Sequence, residues 1–291
     1  MKPAPARKYG SFDYVIVGAG SAGCLLANRL SADPAVTVLL IEAGGRDDWI
    51  WIHIPVGYLY CINNPRTDWC YRTEPCDGLN GRSIIYARGK VLGGCSSINA
   101  MVYMRGQKRD YDEWAALTGD PGWRWDSVLP LFKRGEDHWR GADEAHGAGG
   151  EWRVEPQRLR WDILDSYREA MVQAGIPKID DFNRGDNEGC GYFLVNQTRG
   201  GRLNTARAFL KPAQGRPNLT VLTEAQVRRL RFDGRRCTGV EITRGGVVEV
   251  AAADVETILS AGSIGTPQVL QLSGVGPGAL LQQHGIPVLH E

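Results

Sequence analysis

A strand, a glycine turn and a helix in immediate succession constrain this chain more tightly than any other feature. Phe12-Asp13-Tyr14-Val15-Ile16-Val17 is a short apolar run, Gly18-Ala19-Gly20-Ser21-Ala22-Gly23 follows at once, and Cys24 to Leu30 has helical composition. In this order Gly18 permits the tight turn, Gly20 lets backbone N–H groups approach a pyrophosphate, and Gly23 lets the helix pack closely on the strand. The helix N-terminus then faces the phosphates with its partial positive charge. Asp33-Pro34 breaks the helix, and Val36 to Ile41 reads as a second buried strand that delivers Glu42 nineteen positions beyond Gly23. A carboxylate there accepts hydrogen bonds from ribose hydroxyls and would repel a 2′-phosphate, which disfavours NADP. A flexible glycine loop would explain the glycines but not the placed acid, so dinucleotide binding is the expectation.

The 291 residues suffice for one large or two ordinary domains, and a formal net charge of +1 with no basic stripe argues against a nucleic-acid partner. The densest charge run, Arg228, Arg229, Arg231, Arg235 and Arg236, reads as the solvated face of a hairpin. Seven cysteines with no Cys-x-x-Cys pair oppose both a disulfide framework and a zinc site, so reduced thiols in a cytoplasmic protein are expected. Peripheral association with a membrane is left open; no apolar run approaches a membrane span.

Residues 1 to 11 read as a loose leader. From Gly44 to Leu79 the chain is rich in aromatics and turn formers, which suggests an extended, packed excursion, and Asn80-Gly81 is a hairpin turn signal. Arg88 to Tyr103 is the second chemical stretch, with Gly93 and Gly94 beside small hydroxyl residues that let backbone run close against a flat ligand. Tyr111 to Leu117 and Asp126 to Arg134 read as helices, the second capped by Asp126. His138 to Gly150 reads as a solvent loop, and its two histidines match no metal-ligand spacing. Trp161 to Ala174 reads as a helix capped by Asp162, with Ile163, Tyr167, Ala170 and Met171 on a core-facing side. Leu219 to Ala251 reads as an antiparallel meander with turns at Asp233-Gly234 and Gly245-Gly246. Val255 to Ser260 returns to a buried strand, Ala261-Gly262 begins a second glycine turn, and Thr266-Pro267 reads as a helix start.

With these stretches in view the chain resembles the glucose-methanol-choline oxidoreductases, flavoproteins that oxidise alcohols, and is most similar to their choline-dehydrogenase-like and aliphatic alcohol dehydrogenase branch. Gly89 to Asp112 resembles the family's first signature, with Cys95 where glycine, serine or threonine is usual, and Gly262 to Gly276 resembles the second. The resemblance implies an α/β fold: a Rossmann-like FAD-binding domain with an inserted antiparallel meander, plus the first piece of an α+β substrate domain. Its boundaries would be 1–155 and 201–291 for the flavin domain, with 156–200 for the substrate segment. It implies that Gly18, Gly20, Ser21 and Gly23 hold the FAD pyrophosphate and Glu42, with Ala43, the adenosine ribose. Val91, Gly93, Gly94 and the run Asn99, Ala100, Met101, Val102 would lie along the isoalloxazine and ribityl chain. Val227 would contact adenine through its backbone, and Ala261 and Gly262 complete the cofactor set. Some relatives attach the flavin through a histidine where this chain has Ile98, so the FAD is expected to be non-covalent.

The implied chemistry is hydride transfer from an alcohol carbon to flavin N5, with oxygen or a quinone as the final acceptor and a histidine base taking the hydroxyl proton. None of His53, His138, His146, His284 or His290 matches the family's catalytic motif, so no catalytic residue is assigned. The chain therefore reads as the N-terminal part of such an enzyme, inactive alone, either truncated or complemented by a C-terminal chain. The alternatives are a non-catalytic flavin-binding or partner-docking module and an NAD-dependent dehydrogenase, which would leave the two later signatures unexplained.

Overall fold

Val15, Ile16 and Val17 are buried on both sides, as are all four residues from Val38 to Ile41, and such continuous apolar runs belong in the middle of a parallel sheet. The computed structural model, which describes residues 7–291, places them there. Strand β1 (Arg7–Val17) pairs in parallel with β2 (Val38–Ile41). The expected leader is thus strand from Arg7, whose partner in the sheet is Glu249; residues 1–6 lie outside the described residues.

Four later segments complete the sheet: β3 (Leu219–Leu222), β4 (Gln226–Asp233), β5 (Arg236–Arg244) and β6 (Val247–Leu259). The order is β3-β2-β1-β6-β5-β4. Two expectations are corrected. Leu219–Leu222 is not part of the meander; it lies parallel to β2, because the Asn218 amide donates to the carbonyls of Ser31, Asp33 and Val36 and ties the strand to the loop before β2. Val247–Leu259 is one strand rather than two, since it pairs antiparallel with β5 and parallel with β1 without a break in the chain. Both glycine turns of the meander are where the sequence puts them, and Arg229 on its face holds Glu241 through two bonds of 2.8 Å.

Helix α1 (Ser21–Leu30) follows β1, and α2 (Gly262–Leu272) follows β6. Thr266-Pro267 does not start α2; Ala261 is its cap and Pro267 lies inside it. The strand end is pinned by Ser260, whose N–H and hydroxyl both donate to Val17 O, the hydroxyl also reaching Gly18 O, so the chain turns into helix at once. The excursion after β2 packs Ile52, Cys61, Val91 and Ile98 into a small core. At its hairpin Asn80 and Gly81 have φ of +54° and +70°. All seven cysteines are free thiols.

These elements belong to one compact unit, which takes the chain to Ile52, Val56–Ile98 and Asn204–Glu291. The second unit holds His53–Pro55 and Asn99–Leu203. The division expected from the resemblance assigns cofactor and substrate roles, whereas these units follow packing; the two differ chiefly over residues 99–155. The second unit has a sheet of four short strands in the order Val102–Tyr103, Leu194–Val195, Trp152–Pro156, Glu136–His138. Its helices are Lys108–Thr118, Trp125–Gly135 and Asp162–Gln173. Asp126 and Asp162 fall in the first turns of their helices, behind Arg124 and Trp161 at the cap positions. The third helix has no buried residue, and Ile163 and Tyr167, expected in a core, are 70% and 65% exposed.

The stretch expected as a solvent loop is also corrected. His138, Ala145 and His146 are buried, because His146 is held between Glu136, 3.1 Å from its Nδ1, and Asp181, 2.6 Å from its Nε2. Burial opposes the charge on this ring, but the bonds to Asp181 and Glu136 outweigh it and push the pKa up to about 9. Arg105 completes the group with a 2.9 Å ion pair to Glu136.

Candidate functional site

The C-terminal ends of β1, β2 and β6 converge, as they do at ligand sites of open α/β sheets. Gly18 turns out of β1 with a φ of +97°, its N–H donating to Ile41 O at 2.8 Å. A side chain at Gly23 would put its Cβ 1.9 Å from Gly18 O, so only glycine allows α1 to sit this close to the turn. Gly20, by contrast, has nothing nearer than 4.0 Å to the position of a Cβ, which leaves that side of the loop open.

The second glycine stretch packs on the first. Gly93 N–H donates to Ala19 O at 2.8 Å, and a Cβ on Gly94 would lie 2.8 Å from Gly20 Cα. Ser96 and Ser97 spend their hydroxyls on the same segment, donating to Gly93 O and Leu92 O, and so hold its shape.

A cavity of about 320 Å³ opens between these elements. Of the expected cofactor residues, Gly18, Gly20, Ser21, Glu42, Ala43, Gly94, Val227, Ala261 and Gly262 line it. Gly23 and Gly93 shape the backbone behind it, and Val91 is buried in the small core with Ile52. Asn99, Ala100, Met101 and Val102 belong to the second unit. There Asn99 Oδ1 accepts from Arg202 at 2.9 Å, Met101 is buried, and Ala100 and Val102 are exposed. Sequence reasoning missed Trp69, Tyr71, Arg88, Cys95, Ser263 and Gln268, which also line the cavity. Arg88 and Cys95 stood in the second chemical stretch; Ser263 and Gln268 were hidden by placing the start of α2 too late.

Two features set the electrostatics. The first turns of α1 and α2 both border the cavity and carry no acidic residue, so the partial positive ends of two helices are left uncompensated. Glu42 is almost fully buried, with Oε2 accepting from Ala19 N–H and Oε1 from Gly44 N–H, each at 2.9 Å. Burial is the larger influence and pushes its pKa up to about 7 against the pull of these N–H groups. Two helix ends, an open glycine loop, and an acid and the apolar Val227 in the lining of one cavity match the demands of a diphosphate bound to an adenosine, so the residues present fit FAD.

Comparisons with known proteins agree. Residues 12–286 match the family described as GMC oxidoreductase. An oxygen-dependent choline dehydrogenase of Photobacterium profundum is 44% identical over 289 residues, which cover 97% of this chain and 50% of that protein. An alcohol dehydrogenase [acceptor] of Pseudomonas putida is 44% identical over 283 residues, 96% of this chain and 51% of its own. Among solved structures, pyridoxine 4-oxidase from Mesorbium loti superposes with a TM-score of 0.92 at 38% identity, covering 96% of this chain and 55% of that one. Formate oxidase of Aspergillus oryzae gives 0.86 at 32% identity, covering 99% and 51%. The chain spans about half the length of the curated relatives it matches.

Proposed function

Because the chain belongs to the GMC oxidoreductase family, we propose that it forms the cofactor-holding part of an FAD-dependent oxidoreductase acting on choline-like or aliphatic alcohols. The observation that carries this reading is the cavity at the strand ends, where two acid-free helix N-termini meet an open glycine loop. Bound there, FAD would accept a hydride from the alcohol carbon.

The chain's own work is binding and orientation. N–H groups at Gly20-Ser21 and at Ala261-Gly262 would donate to the pyrophosphate, and Glu42 would accept from the adenosine ribose. Val227 would face the adenine with its backbone. Ile98, buried and without a nucleophilic atom, stands where a covalent link would need a histidine, so the FAD is held without a covalent bond. No histidine is among the described residues that line the cavity, and the base that takes the hydroxyl proton is therefore supplied from elsewhere, in this protein or in a complementing chain. Oxygen or a quinone would reoxidise the flavin. No helix among the described residues is long and apolar enough to cross a membrane.

The test is a visible absorption spectrum of the purified chain before and after denaturation. Flavin bands that pass into the supernatant as free FAD are the expected result. Bands that stay with the precipitated protein would overturn the non-covalent assignment. A folded chain that neither retains FAD nor takes it up when supplied would overturn the site.

A further inference from the structure

We propose that His138, His146 and Asp181, in the second unit, form a binding site for one divalent transition-metal ion of the zinc class. Each residue offers one ligand atom, and the three atoms lie within 4.8 Å of one another.

His138 points to a ligand by itself. Its ring is 97% buried by the chain around it, at 3% exposure, yet neither Nδ1 nor Nε2 has a hydrogen-bond partner. Buried imidazoles normally satisfy both nitrogens. Its neighbour is prepared in the opposite way. His146 turns Nδ1 toward the Glu136 carboxylate at 3.1 Å and Nε2 toward Asp181 Oδ2 at 2.6 Å. Once the Nε2 proton has left, a carboxylate behind Nδ1 fixes the tautomer whose Nε2 lone pair can hold a metal. Glu136 is held in that role by Arg105 at 2.9 Å and by the Gly147 N–H at 2.8 Å. Asp181 spends Oδ1 on the Asn183 N–H at 2.9 Å, which leaves Oδ2 for the ion, with Arg184 Nε 3.5 Å away.

The charges allow the exchange. Glu136, Asp143, Glu144 and Asp181 face Arg105 and Arg184, so with His146 neutral the network carries two excess negative charges. The incoming ion replaces the proton shared between His146 Nε2 and Asp181, and that proton leaves to solvent. Two imidazole nitrogens with one carboxylate oxygen favour zinc or cobalt over the oxygen-seeking magnesium and calcium, with water completing the shell.

Two small movements are required. The rings of His138 and His146 are stacked 3.9 Å apart at 15°, so their lone pairs lie in nearly parallel planes and His138 must tilt to share an ion. Having no side-chain hydrogen bond to break, it can do so. The 2.6 Å gap between Nε2 and Oδ2 must widen to about 3.3 Å for two ligands of one tetrahedral ion. Spacing along the chain does not reveal this group, because Asp181 stands 35 residues from His146.

Cobalt(II) titrated into the chelator-treated chain tests the site. The expected result is one equivalent bound with the visible bands of a four-coordinate ion, and a thermal midpoint that rises with zinc(II). His138→Asn should abolish both in a chain whose circular dichroism shows it still folded, and His138→Gln provides a second variant if the first folds poorly. Absence of stoichiometric uptake by the unsubstituted chain would overturn the proposal outright. Uptake that survives either substitution would assign the ion to other residues and overturn it equally.

Discussion

Glu42 shows how a single side chain can report on its surroundings. Its ordinary pKa near 4.5 becomes about 7 in the fold, so between these values the folded chain binds a proton that the unfolded chain has released. The sign follows: its contribution is fully present below about pH 4.5 and is lost as pH rises through 7. The span corresponds to a loss on the order of 3 kcal/mol. Urea unfolding of the cofactor-free chain at pH 5.5 and pH 8 should show it, and Glu42→Gln should flatten the difference. A substituted chain with an undiminished pH slope would place the effect on another group. Glu42→Gln should also cost about 1–3 kcal/mol at pH 8, since its amide turns a donor toward one of two backbone N–H groups. Glu42 was legible from spacing alone, because the glycine turn and the strand end are both local. His146 was not: its burial depends on Glu136 and Asp181, which only the folded chain brings to it.

Elements were legible where their signals are local and illegible where a partner decides. The unit of β1, glycine loop, α1 and β2 was readable because each glycine has a separate steric duty, and those duties predict different outcomes. Gly23→Ala places a Cβ 1.9 Å from Gly18 O and should destabilise by about 1–3 kcal/mol or more, read as a lower urea midpoint. Gly20→Ala meets nothing nearer than 4.0 Å, so the fold should hold within about 1 kcal/mol while FAD retention falls. If both changes lower the midpoint equally, the open face at Gly20 is wrongly assigned. The helix Asp162–Gln173 teaches the reverse lesson. Its periodicity forecast a helix correctly, yet periodicity says only that a face is apolar, not that something covers it. Because Ile163 and Tyr167 are mostly exposed, replacing both with lysine should change stability by no more than about 0.5 kcal/mol, whereas core positions would lose several times that.

At the scale of the whole molecule, the two packing units turn cofactor binding into a regional measurement. A ligand that binds only the folded form raises stability by about 2.7 kcal/mol at one hundred times its dissociation constant. The residues that line the cavity all lie in the unit containing β1, β2, α1 and α2. Amide exchange with and without FAD should therefore slow most in those elements and leave the strands Glu136–His138 and Trp152–Pro156 close to their original rates. Slowing of equal size in both units would mean that they open as one cooperative body. No slowing in a folded chain would remove the cavity as the cofactor site. NAD at the same concentration separates the remaining alternative, since it shares the diphosphate and adenosine but lacks the flavin. Protection matching that of FAD would show that the cavity reads only the shared half of the two molecules. Stronger protection by FAD would place contacts on the flavin half of the cofactor, and Trp69, Tyr71 and Arg88 add lining to the cavity that the dinucleotide fingerprint alone does not account for.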